Sequence, residues 1–229
     1  MGVTDMLAER LARACVLSAG LAVAYPAQAA VIFDNGAPDL VNAFFSDTMA
    51  DHPFAGNPFQ VADDFSFASA HSLTDVHWFG AYAFENTPGL DSFLIRIFPD
   101  DGGVPAADPI HEFAVGDGDR TDTGLIVAIA FNLYSYSALL PQTPLDPGTY
   151  WLSIVNDLAD ADDDWYWATS NDNAGNGRNR MADDDPWSPL DAELAFALTG
   201  DAAIPEPGTL ALVGAALAGL ILRQRRARP

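Results

Sequence analysis

Apolar and polar residues alternate along much of this chain with the two-residue period of strands. Gln60 to Phe67 alternates around Val61, Phe65 and Phe67. Leu73 to Phe84 holds the pattern longest, with Val76, Trp78, Tyr82 and Phe84 on one phase. Phe93 to Phe98 reads as a strand stopped by Pro99-Asp100-Asp101-Gly102-Gly103. Further strands are predicted over Ala30 to Phe33, Ile110 to Val115, Leu125 to Tyr136, Thr149 to Val155, Asp164 to Thr169 and Glu193 to Leu198. That is about nine strands, separated by Gly, Pro, Asn and Asp. No body segment shows a sustained helical period. The expected fold is all-β, an antiparallel sandwich of jelly-roll type. Its first and last strands pair and bring the ends of the body together.

Two apolar runs at the chain ends break this pattern. Near the N-terminus, Arg10 and Arg13 precede an apolar run from Ala14 to Ala24. Pro26 ends the run, and Ala27-Gln28-Ala29 supplies a small-x-small cleavage site, so residues 1–30 read as a secretory signal helix handed to the Sec translocon. Cleavage is expected after Ala29 or Ala30, and a start at Met6 leaves the signal intact. An uncleaved anchor is the alternative, but a run of about 11 residues is short for roughly 30 Å of hydrocarbon. Near the C-terminus, Pro205-Glu206-Pro207-Gly208-Thr209 leads into Leu210 to Leu222, and Arg223, Arg225, Arg226 and Arg228 close the chain. Leu210 to Leu222 has no polar face, which separates it from an amphipathic core helix. It makes about 20 Å of apolar helix. Snorkelling of Arg223 and local thinning supply part of the remaining span. The Arg cluster places the chain end on the cytoplasmic side and the body outside. The chain thus divides into a signal (1–30), a β-sandwich body (31–203) and a tail (204–229).

Charge sharpens the picture. The chain carries 32 acids against 10 bases, and every base is Arg. Without its ends, the body has 29 acids and four Arg, a net charge of −25. Such a surface excludes sequence-independent nucleic-acid binding and docking on anionic lipid. It suits calcium or cationic partners. Only Glu85, Glu112 and Glu193 of the body acids are Glu; the rest are Asp, a residue of turns and strand ends. The single cysteine, Cys15, falls in the signal, so the mature chain is expected to lack disulfides.

The combination of Pro-Glu-Pro, short apolar helix and terminal Arg cluster resembles the sorting signal of PEP-CTERM proteins. Tails of this kind are sometimes labelled an ice-binding protein C-terminal domain, but these residues give no physical reason for ice binding. The resemblance spans about Ile204 to Pro229. It implies secretion from a Gram-negative bacterium that builds extracellular polysaccharide or biofilm. It also implies processing near Pro205, Glu206 and Pro207 by a membrane-embedded exosortase. The body resembles the extracellular domain of such proteins in Val31-Ile32-Phe33-Asp34-Asn35-Gly36, Ala62-Asp63-Asp64-Phe65, Gly148 to Ile154 and Ala195 to Gly200. The resemblance implies a sandwich and an export route, not a reaction.

The remaining chemistry is sparse. His52, His71, His77 and His111 fall in no metal-ligand spacing, and there is no Gly-x-Ser-x-Gly elbow. A glycosidase needs two carboxyls about 5–9.5 Å apart across a cleft, and nothing in the sequence marks such a pair. The expectation is no enzyme. Calcium, which takes six to eight oxygens, is the candidate cofactor. Asp160, Asp162, Asp163 and Asp164 form the densest acidic loop, and Asp117-Gly118-Asp119 with Asp122, Asn171-Asp172-Asn173 and Asp183-Asp184-Asp185 are further clusters. The alternative is solvated acidic turns. Trp165, Trp167 and Trp187 are candidate glycan contacts, and core packing is the alternative. An exposed Trp165/Trp167 face favours a calcium-dependent carbohydrate-binding module; a buried one favours a scaffold.

Overall fold

The computed structural model describes residues 29–47, 59–83, 89–157, 164–171 and 175–202. The signal and the apolar tail helix lie outside the described residues. Thirteen strands form, in the order β1 (Ala30–Asp34), β2 (Pro38–Phe45), β3 (Gln60–Phe67), β4 (His71–Tyr82), β5 (Phe93–Pro99), β6 (His111–Gly116) and β7 (Thr121–Val127). Then follow β8 (Phe131–Leu145), β9 (Gly148–Asn156), β10 (Trp165–Ser170), β11 (Arg178–Arg180), β12 (Ser188–Pro189) and β13 (Phe196–Ala202). No helix occurs among the described residues.

The strands form two antiparallel sheets. The second has six strands in the order β12-β11-β3-β9-β5-β6. The first has seven, built around β4. Along one edge β4 pairs with β8, and β8 with β7. Along the other, its His71–Trp78 part pairs with β13 and its Gly80–Tyr82 end with β10. Beyond these lie β1, paired with β13, and β2, paired with β10. The strand total exceeds the eight of a jelly roll partly because β11 and β12 are three- and two-residue additions at one edge.

The alternation read from the sequence places the core. Val61, Phe65 and Phe67 of β3 and Val76, Trp78 and Tyr82 of β4 are buried between the sheets. Trp78 stacks on Tyr136 at 5.3 Å and meets Phe93 of the opposite sheet edge-on at 5.2 Å. Phe93 also stands edge-on to Trp165, and Trp167 to Phe196. Each such pair adds about 0.5–1.5 kcal/mol beyond its burial. Gly80 lies between Trp78 and Tyr82 on this inner face because the Trp165 indole occupies the space: a Cβ there would sit 2.5 Å from Trp165 Nε1.

One predicted strand is two. Leu125 to Tyr136 breaks at residues 128–130, where Ala130 N–H donates to the Val127 carbonyl at 3.3 Å. Ala128 and Ile129 have φ of 48° and 66°, the sign pattern of a type I′ hairpin turn. Asn-Gly normally makes that turn, so Leu-Ile-Val-Ala-Ile-Ala-Phe carries no turn signal, and the left-handed backbone costs about 1–2 kcal/mol per residue. The hairpin curls the first sheet until β7 meets β2, with Ala128 N–H donating to the Leu40 carbonyl at 3.3 Å. Leu40, at φ 63°, completes the set of non-Gly residues with positive φ among the described residues. Ala81, Val127, Leu133 and Ala168 fill the corner so closed, with Phe79 and Phe131 packed against them.

Replacing Gly80 with Ala forces the methyl group into the Trp165 ring. The expected loss is about 1–3 kcal/mol, or about 2–4 °C in Tm per kcal/mol. Thermal melts of the two proteins check it, and an unchanged Tm would contradict the packing.

Candidate functional site

The sequence-predicted residues scatter. Trp165 and Trp167 are both fully buried, so the core-packing alternative is the one the structure shows and their candidacy as glycan contacts is corrected: the alternation that puts them on one face turns that face inward. Trp167 Nε1 donates to the Ala195 carbonyl at 3.1 Å. Trp187 is half-buried on the outer face of the second sheet. There it covers Phe98, with the Arg180 guanidinium 4.4 Å from its ring centre. A cavity of about 490 Å³ beside it is lined by Asp108, Asp183, Asp184 and Asp185 among others. Asp160, Asp162 and Asp163 lie outside the described residues. Asp164 immediately precedes β10, and its carbonyl accepts from Ala83 N–H at 3.1 Å. Pro205, Glu206, Pro207 and Arg223, Arg225, Arg226 and Arg228 also lie outside.

Asp172 and Asn173 lie outside the described residues, and the two remaining acidic loops serve local structure. Asp183 Oδ1 accepts from Arg96 at 2.8 Å and Arg180 at 2.7 Å. Asp117 Oδ1 accepts from Asp91 N–H at 2.5 Å, and Asp122 Oδ1 from Gly124 N–H at 2.8 Å. These are turn and pairing roles of the kind a short carboxylate side chain fills.

Instead, the fold assembles two polar groups that sequence reasoning did not single out as sites. The first joins Asp63, Asp64 and Glu193, whose nearest carboxylate oxygens lie within 4.8 Å of one another. Asp63 shares the inward phase of Val61 and Phe65, so it points between the sheets. Its Oδ2 accepts from Asn35 Nδ2 at 2.8 Å and Leu194 N–H at 2.5 Å, and its Oδ1 from Asp64 N–H at 3.0 Å. The Asn35 amide also donates to the Leu194 carbonyl at 2.9 Å and Glu193 Oε2 at 3.2 Å. Glu193 Oε1 accepts from Asn176 N–H at 2.6 Å. Burial, then the Glu193 charge, hold the Asp63 carboxyl well above the usual range, against the Leu194 and Asp64 N–H groups. Asp64 is raised by the same two causes, opposed by Asn176 and Arg178. Three carboxylates make an all-oxygen donor set, the type hard cations take. Both Asp63 oxygens are already engaged by N–H donors, which suits a hydrogen-bonded tie between the sheets better than a cation cage. A carboxylate on an apolar phase was the available sequence signal.

The second group surrounds Asp91, ahead of β5. Tyr82 Oη donates to Asp91 Oδ1, Asn156 Nδ2 donates to the same oxygen at 3.0 Å, and Arg120 donates to Oδ2 at 2.7 Å. Tyr136 Oη donates to Tyr82 Oη at 3.0 Å. Burial pushes the Asp91 carboxyl up to about 6, although Tyr82, Arg120 and Asn156 pull it down. Nothing in spacing marks this group, because its members come from β4, β8, β9 and two loops.

The comparisons bear on the tail. Residues 203–226 match the family model described as the PEP-CTERM protein-sorting motif. The chain carries a PEP-CTERM sorting tail. That tail marks an exported protein sorted to the cell surface, with exosortase as its processing enzyme. No curated protein matches the chain. Among solved structures, a chain in the crystal structure of the infectious bursal disease virus VP2 subviral particle matches with a TM-score of 0.27 and 12% identity. The match covers 91% of this chain and 54% of that one, so the chain spans about half its length.

The Asp91 group has a pH signature. Its folded-state pKa, raised to about 6, lies above the ordinary value near 4. As pH falls below 6 the folded state takes up a proton that the unfolded chain accepts only near 4. The stability of wild type relative to Asp91→Asn is therefore expected to rise as pH falls from 7 to 4. Denaturant titrations of both proteins across that range test this, and a difference that stays flat or falls would count against it.

Proposed function

We propose that this protein is a non-catalytic structural or interaction component of the cell surface or extracellular polysaccharide matrix of a Gram-negative bacterium, delivered there by its sorting tail. The observation that carries the reading is the PEP-CTERM motif at residues 203–226, which begins directly after the last strand ends at Ala202. The sandwich is thus complete before the sorting signal starts, and processing near Pro205-Glu206-Pro207 leaves it whole. In this reading the Sec translocon and exosortase are partners during export, and the apolar run Leu210 to Leu222 holds the chain in the membrane until the tail is cut.

Burial of Trp165 and Trp167 weighs against the calcium-dependent glycan module, since stacking on a sugar needs an open ring face. For a hydrolase, burial of Asp63 and Glu193 in the Asp63–Asp64–Glu193 group weighs against it, since a polysaccharide must reach both carboxyls.

Changing Pro205-Glu206-Pro207 to three Ala in the producing organism is expected to leave an uncut, membrane-held form. Intact-mass measurement of the mature protein reads this directly, and the same mature mass in both strains would overturn the sorting role. Co-sedimentation of the exported protein with the producer's polysaccharide is expected to be equal in calcium and in chelator. Loss of binding in chelator alone would restore the calcium-dependent module.

A further inference from the structure

The corner where β2 meets the β7–β8 turn leaves apolar side chains in solvent. Ile129, at the tip of the turn, is 99% exposed, and Leu40 and Val41 of β2 and Leu125 and Ile126 of β7, the two strands that meet at this corner, are exposed as well. Single exposed apolar residues need no explanation, but a gathered set does. Here the set coincides with strained backbone: Leu40, Ala128 and Ile129 are the non-Gly residues of positive φ among those described. Ile129 is β-branched, the least suited to that conformation, and it shields nothing in the core. Strain kept at a position that contributes no packing points to a role for the exposed side chain.

We propose that this corner docks a protein segment whose apolar side chains are flanked by Lys or Arg. Two carboxylates border the patch in sequence: Asp39 Oδ1 accepts from Val41 N–H at 2.7 Å and from Thr169 Oγ1 at 2.7 Å, and Asp122 Oδ1 from Gly124 N–H at 2.8 Å. The four Arg of the body are engaged elsewhere. Arg96 pairs with Glu112 and Asp183, Arg120 with Asp91, and Arg180 with Asp183, while Arg178 donates to the carbonyls of Asn176, Gly177 and Gly103. Among the described residues, then, the patch is framed by acid and by no cation. A second copy would set acid against acid, and the net charge of −25 on each body deepens the mismatch.

The patch also lies far from the last residue of β13. Ala202 ends β13 opposite His71, at one end of β4, whereas the turn follows β7 and leads to Leu133, opposite Ala81 at the other end. The ten residues between span about 33 Å. Ile129 therefore lies at the opposite end of β4 from Ala202. The preference for a cationic protein over a second copy rests on charge alone.

The test uses the exported protein as recovered from its producing cells, with two synthetic peptides of equal charge, one alternating Leu and Lys and the other Ser and Lys. Wild type is expected to bind the Leu peptide about tenfold more tightly, the worth of one buried apolar anchor. Ile129→Asn suits a left-handed turn better than Ile, so it is expected to fold as well as wild type and to lose that preference. Leu139→Asn, on β8 away from the corner, is expected to keep it. Equal binding of both peptides by wild type, or a preference that survives Ile129→Asn, would overturn the proposal. So would a wild-type dimer that Ile129→Asn abolishes, because the corner would then belong to a second copy.

Discussion

Trp165 lies flat across Gly80 with no room for a methyl group between them, and the centre of the sandwich is arranged around that contact. The flattened indole gives Phe93 of the opposite sheet a surface to stand on, and Phe93 in turn meets Trp78 and Tyr136. Trp167, two residues on, carries the same packing to Phe196 of the last strand. Dispersion and burial along this aromatic row are the main forces available, since the body has no cysteine to cross-link.

The row has to hold against self-repulsion. A net charge of −25 on a body of this size pushes its own parts apart. Buried polar ties offset part of that. The Asn35–Asp63–Glu193 group joins the turn after β1 to β3 and to the residues before β13, and the Asp91 group joins β4, β8 and β9. Both use a carboxylate as the hub, and burial of each hub favours its protonated form. The molecule thus tolerates mild acid at its interior hubs, where many proteins lose stability as paired carboxylates take up protons.

Much of the fold was legible because inward and outward phases are locally encoded. The strands from Gln60, Leu73, Phe93 and Thr149 appear close to where alternation places them, and the first and last strands pair. β2 was not legible: Pro38 opens it, a bulge opposite Ala168 and Ser170 breaks its period, and Leu40 carries positive φ. The β7–β8 turn was hidden for the opposite reason, because Leu125 to Phe131 holds no Gly, Pro, Asn, Asp or Ser to mark it. The sorting tail could be read whole because motif, apolar run and Arg cluster are contiguous. The buried polar groups could not, since Asn35, Asp63 and Glu193 are brought together from distant parts of the chain. Trp165 and Trp167 show the limit of phase reading: alternation says that two rings share a face but not which way the face turns.

The pairing of β1 with β13 sets an order of events. β1 is the first strand of the body to be made, and its ladder partner among the described strands is the last. A chain threaded outward from its N-terminus presents β1 unpaired until residue 202 has emerged. β13 then enters the slot between β1 and β4, bringing Phe196 and Leu198 into the core. The longest loop closure comes last, and closures of that length slow folding. Completion of the sandwich therefore reports that translation has reached the tail, and a chain cut short before β13 lacks the strand that seals its own beginning.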